Sequence, residues 1–146
     1  PMADRTVNLP IGKTVRFFNL ADGSLMNATR HGLMHNSWNR KDMGNDVKFV
    51  VEDRGQGKIA LKTADGRYVY IAGAGLSGDV RLSADASKAE EFVWQDMLYN
   101  HCMLLSLKTQ RYVGKHTADG SPYSADFQGT DAGMKNGCVF AWEVVE

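Results

Sequence analysis

"KIALKTADGRYVYIAG", residues 58–73, is followed further along the chain by a near copy of itself, "LLSLKTQRYVGK", residues 104–115. Each string is an alternating run ending in Leu-Lys-Thr, then a turn, then Arg-Tyr-Val opening a second run. Alternation of apolar and polar residues is the period of a half-buried strand. Asp65-Gly66 between two such runs is a hairpin signal, because a type I′ turn needs positive φ at both central residues, which aspartate and glycine tolerate. In the later copy the turn shortens to Thr109-Gln110.

A fainter copy of the turn lies upstream, at Asp22-Gly23 in "NLADGSLMNA". A second marker is an aromatic followed by a two-residue step: "KFVVED" at Phe49, "EFVWQD" at Phe92 and "VFAWEV" at Phe140. Both markers recur at roughly 45 residues, so both count three units. Each unit holds four alternating segments. They are predicted near 15–18, 24–28, 35–38 and 48–53, then 58–63, 67–72, 80–84 and 91–96, then 104–108, 111–115, 122–125 and 139–144. The clusters "AGAGLSG" and "GTDAGMKNG" read as connections, and no segment keeps helical periodicity through three turns. The chain is therefore read as all-β, one domain over 1–146, with repeats near 12–54, 55–99 and 100–146. Phe49, Phe92 and Phe140, with Tyr68 and Tyr112 at the place of Leu25, are assigned to the core because the repeats exchange them only for apolar residues. Trp94 and Trp142, at the place of Val51, are expected to pack there too.

Twelve strands in three four-stranded units resemble the β-trefoil, a six-stranded barrel capped by three hairpins with pseudo-threefold symmetry. Within that fold, "GKIALKTADGRYVYIAG" is similar to the hairpin of the fascin and hisactophilin group, where Gly-Lys-x-x-Leu-Lys-Thr, a turn, and Tyr-Leu or Tyr-Val recur. The similarity spans nearly the whole chain and is best in the second unit. It implies the fold, but trefoils include lectins, actin bundlers, protease inhibitors and cytokines, so it does not imply one function. The ricin-type lectin signature, glutamine two residues before tryptophan, is absent. Phe92-Val93-Trp94 and Phe140-Ala141-Trp142 stand in the comparable place, so that sugar site is not carried over.

Lys plus Arg and Asp plus Glu both total 17, and no long run of one sign occurs, which argues against non-specific nucleic-acid binding and a polybasic membrane surface. No apolar stretch reaches the length of a signal peptide or membrane span, so the protein is expected to be soluble and cytoplasmic, although a chain trimmed from a precursor fits the same residues. Pro1 before Met2 reads as a cloning remnant. Cys102 and Cys138 lack Cys-x-x-Cys spacing and are expected to be reduced, packed thiols.

No catalytic motif is present, so neither an enzyme nor a cofactor is expected. His101 and Cys102 adjoin, but neighbours in a strand point to opposite faces. His31, His35, His101 and His116 are too dispersed for a metal site and read as solvated. Trp38, in the polar stretch "HGLMHNSWNRKD", has two readings of equal standing. It is a platform on which a pyranose stacks while His35, Asn36, Asn39 and Arg40 take its hydroxyls, or it folds onto the barrel rim. Corresponding positions in the other units are Arg81 with Asp85 in "RLSAD" and Tyr123 with Asp126 in "PYSADFQG", with Tyr70, Asp79 and Gln128 as additions. The Ser-Ala-Asp echo is favoured as a turn, since aspartate and serine bond their own backbone there. The leading expectation is a lectin-like protein with one to three shallow glycan sites. The alternative, which the fascin-like resemblance implies, is an actin-binding protein.

Overall fold

The computed structural model describes residues 9–30, 32–36, 44–73, 78–115, 122–128 and 137–145, with only the backbone described at 35 and 36. It contains β1 (Thr14–Asn19), β2 (Leu25–Ala28), β3 (Leu33–Asn36), β4 (Phe49–Gly55), β5 (Lys58–Thr63), β6 (Tyr68–Ala72), β7 (Asp79–Ser83), β8 (Phe92–Asp96), β9 (His101–Ser106), β10 (Arg111–Gly114), β11 (Ser124–Phe127) and β12 (Phe140–Val144). Short 3-10 turns at Asn45–Val47 and Ala86–Lys88 are the helical elements among the described residues. The predicted segments fall on these strands, most within a residue or two. β9 begins three residues before its predicted start because Cys102–Leu104 pair with β8 and His101 pairs with Ala141 of β12.

Strands β1, β4, β5, β8, β9 and β12 pair in a closed antiparallel ring. Closure removes the free edges on which an open sheet would pair with other chains. The remaining strands form hairpins β2–β3, β6–β7 and β10–β11, one per unit, and these cap one end of the barrel. The turns β4–β5 and β8–β9, the start of β1 and the end of β12 lie at the opposite, open end.

Phe17 sits at the centre of the barrel, with Phe49, Trp94 and Phe140 at ring separations of 6.0, 5.8 and 6.1 Å. Phe49, Phe92, Phe140, Tyr68, Trp94 and Trp142 are all buried, as their repetition predicts. Tyr112 departs from that pattern: it is only half-buried, and its hydroxyl donates to Gln95 Oε1 at 2.6 Å. Cys102 and Cys138 are free and buried, and burial, followed by the nearby Asp96 charge, holds the Cys102 thiol well above its usual pKa.

The predicted type I′ turn is a correction. At Thr63–Arg67 only Gly66 has positive φ, and Gly23 plays that part in the first unit. The loops are longer than two residues because the aspartate serves as a local acceptor instead: Asp65 takes the Thr63 hydroxyl and Asp22 takes Ser24 N and Oγ. Lengthening lets the strands meet without placing a side chain in the left-handed region.

A buried ion pair crosses between the first and third units. Matching Arg67-Tyr68-Val69 with Arg111-Tyr112-Val113 sets Lys115 in the register of Ile71. Lys115 is accordingly buried at 0 % exposure, yet its ammonium reaches Asp22 Oδ2 at 2.6 Å. Gly137 faces the backbone of the same residue: its carbonyl accepts from Lys115 N at 3.1 Å and from Asn19 Nδ2 at 2.8 Å. A Cβ at Gly137 would lie 1.9 Å from the Lys115 carbonyl oxygen, and Gly137 has φ +75°. Gly137→Ala is therefore expected to lower the unfolding free energy by about 3 kcal/mol in urea titrations.

The lysine and the aspartate are unequal partners. Asp22→Asn strands a fully buried cation and is expected to cost about 3 kcal/mol. Lys115→Met leaves only a carboxylate that water reaches, at 33 % side-chain exposure, and costs less. Burial raises the Asp22 pKa, but hydrogen bonds from Lys115 and Ser24 outweigh it, so the carboxyl titrates below its usual 3.8. A depressed carboxylate stabilises the fold above the unfolded pKa and loses that contribution as pH falls through the folded one. Denaturation curves at decreasing pH should therefore lose stability below about pH 3.8, and less steeply in Asp22→Asn.

Candidate functional site

The three hairpins meet through their third-strand segments. Tyr123 N donates to Leu33 O at 3.0 Å, Ala125 N donates to Gly78 O at 2.8 Å, and Ser124 pairs with Asp79 across β11 and β7. The approach of the first unit to the second depends on Gly32, where a Cβ would lie 2.6 Å from Val80 O. Where the segments splay, a cleft of about 340 Å³ opens, lined by Thr29, Gly32, Met34, Asp79, Val80, Arg81, Pro122 and Tyr123. That volume is at the low end of small-molecule sites.

Strand alternation divides the β6–β7 hairpin into two faces. Val69, Ile71 and Val80 point into the core. Tyr70, Asp79 and Arg81 take the other face, with Tyr70 directly opposite Arg81 and Ala72 opposite Asp79. Cross-strand neighbours of this kind have Cβ atoms about 5 Å apart, so the two side chains leave the sheet side by side on one face. Arg81 Nη2 stands 3.6 Å from Asp79 Oδ2, a loose pair with side chains 51 % and 60 % exposed. Such a pair is worth little to stability. It sets an acceptor and a forked donor side by side at the mouth of the cleft.

Beside Tyr70, the Lys88 ammonium lies 5.6 Å from the ring centroid. Its position comes from the Ala86–Lys88 turn, which Asp85 caps: the Asp85 carboxylate accepts from Ser87 N at 3.0 Å and from Ser87 Oγ at 2.7 Å. These two hydrogen bonds hold the Asp85 pKa below its usual value. Asp85 therefore sits in a turn and directs Lys88 toward Tyr70, while Arg81 takes Asp79 as its partner. Asp126 accepts from Ser124 Oγ at 2.8 Å and is exposed, as is Gln128.

Tyr123 requires a correction. It is 1 % exposed, with its ring 5.7 Å from Phe140, and burial drives its hydroxyl pKa far upward. A ring enclosed in this way offers no face to a sugar, so Tyr123 shapes the floor of the cleft rather than stacking in it. His35 and Asn36 lie in β3, opposite Met26 and Leu25. Trp38, Asn39 and Arg40 lie outside the described residues, as do His31 and His116. The structure thus brings Asp79, Arg81 and Tyr123 to one cleft with Tyr70 alongside; of the two Ser-Ala-Asp segments expected to be turns, only the first is one, with Asp85 as its cap, whereas Asp126 lies within β11.

Sequence reasoning missed Thr29, Gly32, Met34, Pro122 and Lys88. A glycine opening an apolar pair, Gly32 before Leu33-Met34 in "RHGLMHN", was the available signal for a close backbone approach. Lys88 carried none, because its place depends on a turn that only the folded chain defines. No group of three or more metal-ligating side chains occurs among the described residues. What the cleft can do is recognise reversibly: a carboxylate to accept from hydroxyls, a guanidinium to donate, and an aromatic ring beside them.

No family model matches the sequence, and no curated protein does. Solved structures do match. A designed threefold-symmetric protein, ThreeFoil, superposes with a TM-score of 0.68 at 12 % identity, over 91 % of this chain and 98 % of that one. The fold is a β-trefoil. A ricin B-like lectin from Macrolepiota procera, in complex with lactose, gives a TM-score of 0.70 at 15 % identity, over 90 % of this trefoil and 95 % of the lectin. SeviL bound to asialo-GM1 saccharide gives 0.70 at 11 % identity, over 92 % and 98 %. At these identities the matches establish the fold and do not select the fascin and hisactophilin group.

If Asp85 acts by capping, Asp85→Ala should lower the melting temperature slightly and weaken ligand binding less than Arg81→Ala does. Thermal unfolding monitored by circular dichroism, with binding measured on the same samples, checks both outcomes.

Proposed function

We propose that this trefoil is a non-enzymatic carbohydrate-binding protein whose main described site is the Asp79–Arg81 cleft. The observation that carries the reading is the arrangement of that pair at the mouth of a 340 Å³ cleft with Tyr70 opposite Arg81. Sugars present adjacent hydroxyls above an apolar ring face. A carboxylate beside a guanidinium takes the hydroxyls, and an aromatic ring takes the apolar face. Two structurally similar trefoils carry saccharides in their complexes, lactose in one and the asialo-GM1 saccharide in the other, which supports the same chemistry here. Trp38 with His35, Asn36 and Asn39 would supply a second site in the first unit, and Asp126 with Gln128 the polar part of a third. Shallow sites bind weakly one at a time, and several on one particle compensate through effective concentration.

A glycan array tests the proposal. Wild-type protein is expected to bind a defined set of glycans. Arg81→Ala should weaken that binding roughly tenfold or more, as the loss of a charged hydrogen-bond donor does. Tyr70→Ala and Trp38→Ala report separately on the two aromatic positions, with circular dichroism showing that the fold is intact. An array without hits, together with co-sedimentation on actin filaments, would replace the glycan reading with the cytoskeletal one.

A further inference from the structure

At the open end of the barrel, the turn joining β8 and β9 runs Met97-Leu98-Tyr99-Asn100. Leu98, Tyr99 and Asn100 have φ of 68°, 54° and 59°, three successive left-handed residues without a glycine. The corresponding turn between β4 and β5 meets the same demand with Gly55 and Gly57 around Gln56. Leucine and tyrosine are poor residues for that conformation. The surroundings nevertheless fix it: Leu98 N donates to Asp96 Oδ1 at 3.2 Å, His101 N to Leu98 O at 2.9 Å, and Trp142 N to Asn100 O at 2.9 Å. The result is an apolar tip facing water, with Leu98 60 % and Tyr99 88 % exposed. The other exposed large hydrophobic side chains among the described residues, Ile11 and Val144, belong to the same end. The cap end has none among those residues.

We propose that this end is a self-association surface, on which the Leu98–Tyr99 tip packs against the same end of a second copy. The charges around it favour that occupant. Arg16 is paired with Glu143 at 3.1 Å and Arg54 with Glu52 at 3.1 Å, so these rim arginines bring no cationic surplus to attract an anionic bilayer. The chain has 17 residues of each sign, so two copies approach without net repulsion. The Arg16–Glu143 pair lies next to Val144 in the β1–β12 ladder. Each copy presents both a cation, Arg16, and an anion, Glu143, beside the apolar tip, so a two-fold arrangement brings no like-charged patches together by necessity, as a self-complementary surface requires. The tip belongs to one unit of three and so lies off the pseudo-threefold axis, which suits closure at two copies. Its apolar area is small beside the roughly 800 Å² per partner of a stable interface, so the dimer should be reversible, with a dissociation constant on the order of micromolar.

The association does not depend on the glycan reading. One consequence does: a pair joined at the open ends carries its clefts at opposite poles, which suits cross-linking of two surfaces.

Sedimentation velocity on the full chain over a concentration series tests the proposal. The wild type is expected to move from 16.1 kDa toward twice that mass. Leu98→Ser/Tyr99→Ser and Tyr99→Asp should both remain monomeric. Tyr99→Gly should lose association while unfolding at the same or a higher temperature, because it removes the side chain and the strain together; that outcome excludes misfolding as the cause. A wild type that stays monomeric throughout, or variants that dimerise as the wild type does, would overturn the proposal. Pelleting of the monomer with neutral phosphatidylcholine vesicles, lost in Tyr99→Asp, would also overturn it in favour of a lipid surface.

Discussion

Everything in this fold depends on the ladder between β1 and β12, in which Val15 meets Val144 and Asn19 meets Phe140. Without it the barrel is an open sheet with two long edges, and the aromatic cluster around Phe17 loses one wall. With it, Phe17 faces Trp142 across the ladder and contacts aromatic rings from all three units. The Lys115–Asp22 pair ties the same units together again, near the cap. A buried ion pair is weak evidence for stability, since apolar residues of similar volume often do as well. Its more useful property is directional: Ala28 and Ile71 fill the equivalent places without preference for a partner, whereas a lysine there must find a carboxylate.

The scaffold was legible because repetition reports on packing. Phe49, Phe92 and Phe140 could be assigned to the core from their recurrence in apolar runs, and the duplicated Leu-Lys-Thr and Arg-Tyr-Val strings located hairpins that the structure contains. The site was legible only in part. Asp79 and Arg81 are ordinary surface residues in one dimension, and their pairing at a cleft depends on how three hairpins abut. Tyr123 misled because its neighbours in sequence are polar, while its burial is determined by Phe140 and by the backbone bond to Leu33. Lys115 was hidden for the opposite reason: a lysine is read as exposed unless the repeat register is followed to Ile71.

The two ends of the molecule are used differently. The cap carries polar side chains around a concave cleft, as reversible recognition of a hydroxyl-rich ligand requires. The open end carries apolar side chains on a convex, strained turn. Strain of this kind persists only where the surroundings over-determine it, and here the backbone bonds to Trp142 and His101 do so.

The β1–β12 ladder also constrains how the protein is made. Residues 14–19 leave the ribosome more than a hundred residues before their partners at 140–144. Until then β1 has an unpaired edge on a growing chain, and neither β4 nor β2 covers it fully. Contacts this distant in sequence slow folding, because the chain between them must be ordered before they form. During translation, the strand on which the finished barrel depends is therefore the one most open to pairing with a neighbouring nascent chain.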